Sequence, residues 1–197
     1  MFIDKNIDYQ VGDFCFRNFL HLNNSELLMI LKERNHPNVK KWMVSKDDIT
    51  KEEHIEFVNG LESRDDAYYW LIYHNDKPVG VLSLIHCDYD KEEGEAGYYL
   101  FNSYQDEGIG LDLHYNYKKF FFEYLHLKNL PGRILWGNTN AYQISKFFGA
   151  ELDSVKEIDN RKFLFMHTSK DAFLSVPSEK LTSRFINFIK TNPIIWE

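Results

Sequence analysis

The apolar positions of the chain switch between two periods, and each switch marks an element. Val11 to Leu20 (VGDFCFRNFL) partly alternates and predicts a strand. Leu27, Leu28, Ile30 and Leu31 then recur at helical spacing behind Asn24 or Ser25, either of which can cap a short helix. Thr50-Lys51-Glu52-Glu53 has the form of a capping box: the hydroxyl satisfies one free amide and Glu53 reaches back to another. The helix it starts is expected to turn Ile55, Phe57, Val58 and Leu61 inward, with Gly60 weakening its last turn.

Three strand signals follow in close order. Tyr68 to Tyr73 (YYWLIY) leads through the turn His74-Asn75-Asp76-Lys77 into Pro78 to His86, and Ala96 to Phe101 is the third. Leu111 to Leu127 is a long helical segment carrying Leu113, Tyr117, Phe120, Phe121 and Tyr124; Pro131 ends that region before a short buried strand, Arg133 to Trp136. Asn140 to Phe148 reads as a helix stopped by Gly149. Glu151 to Ile158 and Arg161 to His167 form a hairpin around Asp159-Asn160. Ser178 to Lys190 is amphipathic through Leu181, Phe185, Phe188 and Ile189, and Pro193 breaks it. This order predicts an α/β protein (an α+β mixed sheet) rather than a doubly wound parallel one.

Length and charge narrow the classes. A chain of 197 residues can hold one core without staples, here read as a domain over 1–170 with 171–197 an amphipathic extension packed on it. That extension packs on the domain or lengthens a dimer interface, which leaves a homodimer open. Lys and Arg total 23 against 30 Asp and Glu, a net charge of −7 that argues against a nucleic-acid partner. With no apolar run of bilayer length and no leader at its start, the expectation is a cytoplasmic protein without a membrane partner. Cys15 and Cys87 lie too far apart for a metal or disulfide pattern, and His86 points to the opposite strand face from Cys87, so covalent catalysis is not expected. His114, His126 and His167 show no ligand spacing, and no metal is expected.

Between the third strand of the meander and the long helix lies Gln105-Asp106-Glu107-Gly108-Ile109-Gly110. Glycines there let backbone amides approach a ligand that a Cβ would block, and the following helix adds free N–H groups and its positive end. The same residues would also make a plain tight turn. Gln105-x-x-Gly108-x-Gly110 resembles the pyrophosphate loop of GNAT-type acetyl-CoA-dependent N-acetyltransferases. Asn138-x-x-Ala141-x-x-Ile144-Ser145-x-x-Phe148-Gly149 is similar to a second segment of that family. The resemblance implies a GNAT fold, with a mostly antiparallel sheet whose two central parallel strands splay. It implies acetyl-CoA as donor, its arm beside Tyr98, Tyr99 and Leu100 and its pyrophosphate on Glu107, Gly108, Ile109 and Gly110. Asp106 and Glu107 stand where many relatives carry basic residues, and their side chains are expected to point outward.

The N-terminal half resembles the nucleotide-linked amino-sugar N-acetyltransferases of the pseudaminic acid pathway. The similar segments are Glu33-Arg34-Asn35-His36-Pro37, Lys41-Trp42-Met43, Ile49 to His54, and Gly80 to Ser83. The resemblance implies a UDP-linked amino-deoxy sugar as acceptor, with Arg34, Asn35, Trp42, Met43 and His54 around it. Arg34 either grips a pyrophosphate with its planar fork or closes the end of its helix. Trp42 and Met43 either face the acceptor or join the core, and His54 faces cleft or solvent. Other amine acetyltransferases, of ribosomal-protein or polyamine type, share the layout, and a non-catalytic CoA-binding module remains a further alternative.

Transfer needs a neutral amine, a stabilised oxyanion and a proton for the thiolate. Ser83 and Glu95, on neighbouring strands, are candidates for ordering a proton-accepting water; each also has a plain structural reading, a satisfied hydroxyl and a strand-end charge. Backbone amides near Tyr98 to Leu100 would polarise the carbonyl. The family's proton donor is usually a tyrosine seven residues after the asparagine, where this chain has Ser145. Tyr142, one turn earlier, brings a phenol close or fills a groove, and Asn138 holds the cofactor arm or the helix start.

Overall fold

The computed structural model describes residues 1, 3–105, 107–194 and 196, and one sheet organises them. Its strands are β1 (Tyr9–Val11), β2 (Phe14–Asn18), β3 (Ala67–His74), β4 (Lys77–Asp88), β5 (Glu93–Leu100), β6 (Asn129–Leu135), β7 (Glu151–Ile158) and β8 (Arg161–Ser169). They lie in the order β1-β2-β3-β4-β5-β6-β8-β7. Neighbours are antiparallel except β5 and β6, which run parallel and pair only where Glu93 faces Asn129. The helices are α1 (Asn24–Asn35), α2 (Pro37–Lys40), α3 (Lys51–Gly60), α4 (Gly110–Lys119), α5 (Thr139–Phe147), α6 (Lys170–Leu174) and α7 (Leu181–Thr191). This is the predicted mixed α/β sheet with one splayed parallel pair.

Local chemistry explains where these elements depart from the expected bounds. The segment predicted as one strand from Val11 is a hairpin, because Gly12 takes a φ of +59° and reverses the chain between β1 and β2. Asn23, not Asn24 or Ser25, caps α1, and Glu26 completes a capping box with it. The box at Thr50 is present, but the buried positions of α3 are His54 and Val58, followed by Leu61 in the next turn. Ile55 and Phe57 are 37% and 36% exposed, one residue off that stripe. Pro131 does not end a helical region: it lies inside β6, whose β5-facing edge carries almost no ladder and tolerates a missing N–H. β5 starts at Glu93, three residues before the predicted Ala96, and α6 was not foreseen.

The core is aromatic. The long helical segment ends its regular part at Lys119 and widens into a π turn over Phe120–Tyr124. That wider turn buries three successive phenylalanines: Phe120 meets Phe16 and Trp70 at 5.0 and 5.3 Å, and Phe122 meets Phe173 at 5.4 Å. Phe185 and Phe188 of α7 pack on Phe147 at 5.3 and 5.6 Å, holding the C-terminal segment against α5.

One buried cation lies in this core. Lys118 is 3% exposed; its Nζ donates to the Thr168 hydroxyl at 2.6 Å and lies 5.9 Å from the centre of the Tyr117 ring. Burial pushes its ammonium down to about 7 from 10.5. Between those values the unfolded chain holds a proton that the folded chain has released, so stability rises with pH across that window. Lys118→Met should raise stability at pH 7 by roughly 1–3 kcal/mol and remove that part of the rise, read as the difference between the two proteins in denaturant melts from pH 7 to pH 10.

Candidate functional site

The splay between β5 and β6 makes the opening. Past Glu93 and Asn129 the two strands pair no further, while the other edge of β5 stays on β4, with Tyr98 opposite Leu82 and Leu100 opposite Gly80. Beyond Glu93 the β6-facing backbone groups of β5 thus have no strand partner among the described residues and can take a ligand that carries its own amides. Near the base the walls are joined by an ion pair across the gap, Arg133 Nε to Glu95 Oε1 at 2.7 Å.

The side chains of β5 diverge to the two faces of the sheet. Tyr98 packs on His114 and Tyr117 of α4, at 5.7 and 5.3 Å, and burial pushes its phenol up to about 12. The Tyr117 hydroxyl lies 3.0 Å from His114 Nε2, and burial together with Lys118 holds that imidazole well below its usual range. Tyr99 lies on the other face beside Arg34, and burial raises its phenol as well.

At the open end of β5 the chain enters the glycine loop. Gln105 Nε2 donates to the carbonyls of Leu100 and Asn38, each at 3.5 Å. Glu107 is exposed, as expected; Asp106 lies outside the described residues. Gly108 has a φ of +77°, and a Cβ built there meets nothing within 4 Å, so the space above the loop is open. Ile109 caps α4 with no side-chain hydrogen bond, Gly110 starts the helix against Leu100, and among the described residues no side chain accepts from its leading N–H groups.

The candidates for chemistry are placed unevenly. Ser83 faces Gly97, and its hydroxyl donates to the Gly97 carbonyl at 3.2 Å. Glu95 lies within β5 rather than at a strand end, its two oxygens held by Arg133 and by His86 Nδ1 at 3.3 Å. Asn138 caps α5, accepting from the Ala141 amide at 3.2 Å. Ser145 is half-buried on the same helix. Tyr142 joins an aromatic group with Trp136 and Trp196, its ring 5.6 Å from Trp196, whose indole N–H donates to Thr139 Oγ1. The groove-filling reading of Tyr142 therefore describes its surroundings.

On the opposite face, Arg34 Nη2 donates to the Ser45 carbonyl at 3.0 Å, while its buried Nη1 has no hydrogen-bond partner among the described residues. Burial lowers its pKa, yet a guanidinium stays charged. Both ends of the Asn35 amide are taken by the backbone of Ile49, at 2.8 and 3.0 Å, so this residue shapes the loop before α3. Trp42 is 40% exposed with the Lys41 ammonium 5.4 Å from its ring centre, and Met43 is half-buried beside it. His54 faces neither cleft nor solvent: it is 6% exposed, packed toward the Leu27 backbone of α1, and burial lowers its pKa.

Arg34 of α1 and Tyr99 of β5 lie close enough for the guanidinium charge to act on the phenol. Further ties there had no local signal in the sequence. Glu33 accepts from the Asn102 amide at 2.9 Å, and Asn38 donates to the Asn102 side chain at 2.8 Å, fastening α1 and α2 to the segment before the glycine loop. Among the described residues no group of three or more His, Cys, Asp or Glu is placed to hold a metal, and no helix is long and apolar enough to cross a membrane.

Comparison with known proteins agrees with this geometry. The family model described as the acetyltransferase (GNAT) domain matches residues 18–151. Acetyltransferase PseH of Campylobacter jejuni is 29% identical over 128 residues, covering 65% of this chain and 78% of that protein. The crystal structure of Campylobacter jejuni N-acetyltransferase PseH in complex with acetyl coenzyme A superimposes with a TM-score of 0.63 at 20% identity, over 80% of this chain and 99% of that one. Spermidine N-acetyltransferase from Vibrio cholerae, in complex with CoA and spermine, gives a TM-score of 0.75 at 16% identity, over 83% and 99%. The residues of the glycine loop, the splayed strands and the match over most of the chain place this protein in the GNAT family of acetyl-CoA-dependent N-acetyltransferases.

Proposed function

We propose that the enzyme moves the acetyl group of acetyl-CoA to the amine of a nucleotide-linked amino-deoxy sugar, by direct attack in a ternary complex. Residues 1–170 form the acetyltransferase domain and 171–197 extend it. The observation that carries the acceptor class is the Arg34 guanidinium, charged, half-buried and with one nitrogen unpartnered beside the cofactor strand. A half-buried guanidinium with a donor to spare suits a phosphate oxygen. It would repel a polyamine. The similarity to PseH supports the same reading.

In this account the acetyl-CoA arm runs along the open edge of β5 and its pyrophosphate meets the N–H groups of 108–111. The thioester carbonyl points at the backbone amides of Tyr98 to Leu100, which stabilise the oxyanion without a side chain. A sugar amine is less basic than that of lysine, so a water ordered near Ser83 and Glu95 suffices to take its proton. The CoA thiolate leaves readily and takes a proton from water or from Ser145.

The second reading is a polyamine acceptor, favoured by the net charge of −7 and by the likeness to the Vibrio cholerae fold. Release of free thiol separates the two. The wild type should release thiol with acetyl-CoA and a UDP-4-amino-4,6-dideoxy sugar, and Arg34→Ala should raise KM for the sugar about 10–100-fold. Thiol release with spermidine alone, indifferent to Arg34, would establish the polyamine reading. Gly108→Ala tests the loop separately. Its left-handed backbone costs a residue with a Cβ about 1–2 kcal/mol, so calorimetry should show acetyl-CoA binding weakened roughly tenfold.

A further inference from the structure

The loop between α2 and α3 carries Trp42 and Met43 and has little packing to hold it: Trp42 and Val44 are 40% and 52% exposed. Its backbone is instead fastened by side chains. Asn35 takes the amide and carbonyl of Ile49, Arg34 takes the Ser45 carbonyl, and the remaining tie comes from the far end of the sequence. Arg161 Nη1 donates to the carbonyls of Met43 and Val44, both at 2.8 Å, and Nη2 lies 3.5 Å from the Lys41 carbonyl. These carbonyls follow the single turn of α2 and have no helical partner of their own.

The anchor is set by the strand hairpin that carries it. Asp159 and Asn160 both take left-handed conformations, with φ of 50° and 58°, in the two-residue turn that sets Ile158 opposite Arg161. The guanidinium carbon lies 5.4 Å from the ring centre of buried Phe163, which limits its rotamers. Strand β8 in turn pairs with β6, the second wall of the opening. Asn38 and Glu33 already tie α1 and α2 to Asn102, just past the first wall. The loop is thus attached to both walls of the opening on the face where Arg34 lies.

We propose that Arg161 is a positioning residue for the acceptor: it holds residues 41–45 across the mouth of the opening and so sets affinity for the amine, not for acetyl-CoA. This rests on the reading that the acceptor enters beside Arg34. The carbonyls are shared between two separate guanidinium nitrogens, Nη1 and Nη2, whereas lysine brings its three donors on one nitrogen, so lysine replaces it only in part.

The test compares wild type, Arg161→Ala and Arg161→Lys in thiol-release kinetics with the UDP-4-amino-4,6-dideoxy sugar and with spermidine, beside amide exchange of residues 41–45. Arg161→Ala should raise KM for the amine about tenfold or more, with Arg161→Lys between it and wild type, while KM for acetyl-CoA and kcat stay within about twofold. Exchange should quicken over 41–45 and stay unchanged over 98–100. An equal rise in KM for acetyl-CoA would mark Arg161 as a general structural residue, and unchanged kinetics or exchange would remove it from the site; either overturns the proposal. If wild type uses spermidine and not the sugar, the substrate reading fails, and the same KM split measured with spermidine still decides Arg161. If neither amine is acetylated, exchange over 41–45 decides whether the clamp exists.

Discussion

Two parallel strands that start together and then part are the constraint on which the remainder of this structure depends. β5 and β6 share one paired position, Glu93 and Asn129, and beyond it each is held only by its outer neighbour, β4 or β8. An unpaired strand edge inside a sheet is costly unless something supplies the missing hydrogen bonds. A cofactor arm with two amides would be such a partner, and in the proposed binding mode its phosphates meet the N–H groups of the glycine loop at the open end of β5. The Arg133–Glu95 pair spans the gap near its base, so the opening has a fixed root and a free mouth.

The two faces of this opening have different chemistry. On the α4 face, Tyr98, His114 and Tyr117 are packed with Phe148, and burial keeps the imidazole neutral and both phenols protonated. On the α1 face, Arg34 brings a permanent positive charge within electrostatic reach of Tyr99 and holds the Ser45 carbonyl of the exposed loop that carries Trp42. One face is dry and aromatic, with the Lys118 ammonium buried behind it on Thr168; the other is partly wet and positive. A donor that binds mainly through backbone groups and an acceptor that carries negative charge fit these two surfaces without competing.

The elements legible from sequence were those with a local cause. Asn75-Asp76 and Asp159-Asn160 turn the chain because both pairs tolerate positive φ, and Thr50 with Glu53 builds its capping box within four residues. The glycine loop was legible for the same reason: its motif is contiguous and its position between strand and helix follows from period alone. Pro131 misled because whether a strand tolerates proline depends on its partner edge, which is a long-range fact. His54 misled because one residue of helical phase separates a buried imidazole from an exposed one. Arg161 was invisible, since it meets its acceptors across more than 110 residues of chain. The strand, loop and helix around the splay were therefore legible from local sequence, and the long-range ties around Arg34 were not.

The proposed transfer requires acetyl-CoA at the open edge of β5. Amide hydrogen exchange with and without acetyl-CoA reads that edge residue by residue. Binding should slow exchange within Tyr98 to Leu100 and at 108–111, and leave the outer strand β7 unchanged. Saturating acetyl-CoA that leaves 98–100 unprotected, or protects only segments away from the splay, would contradict the central claim.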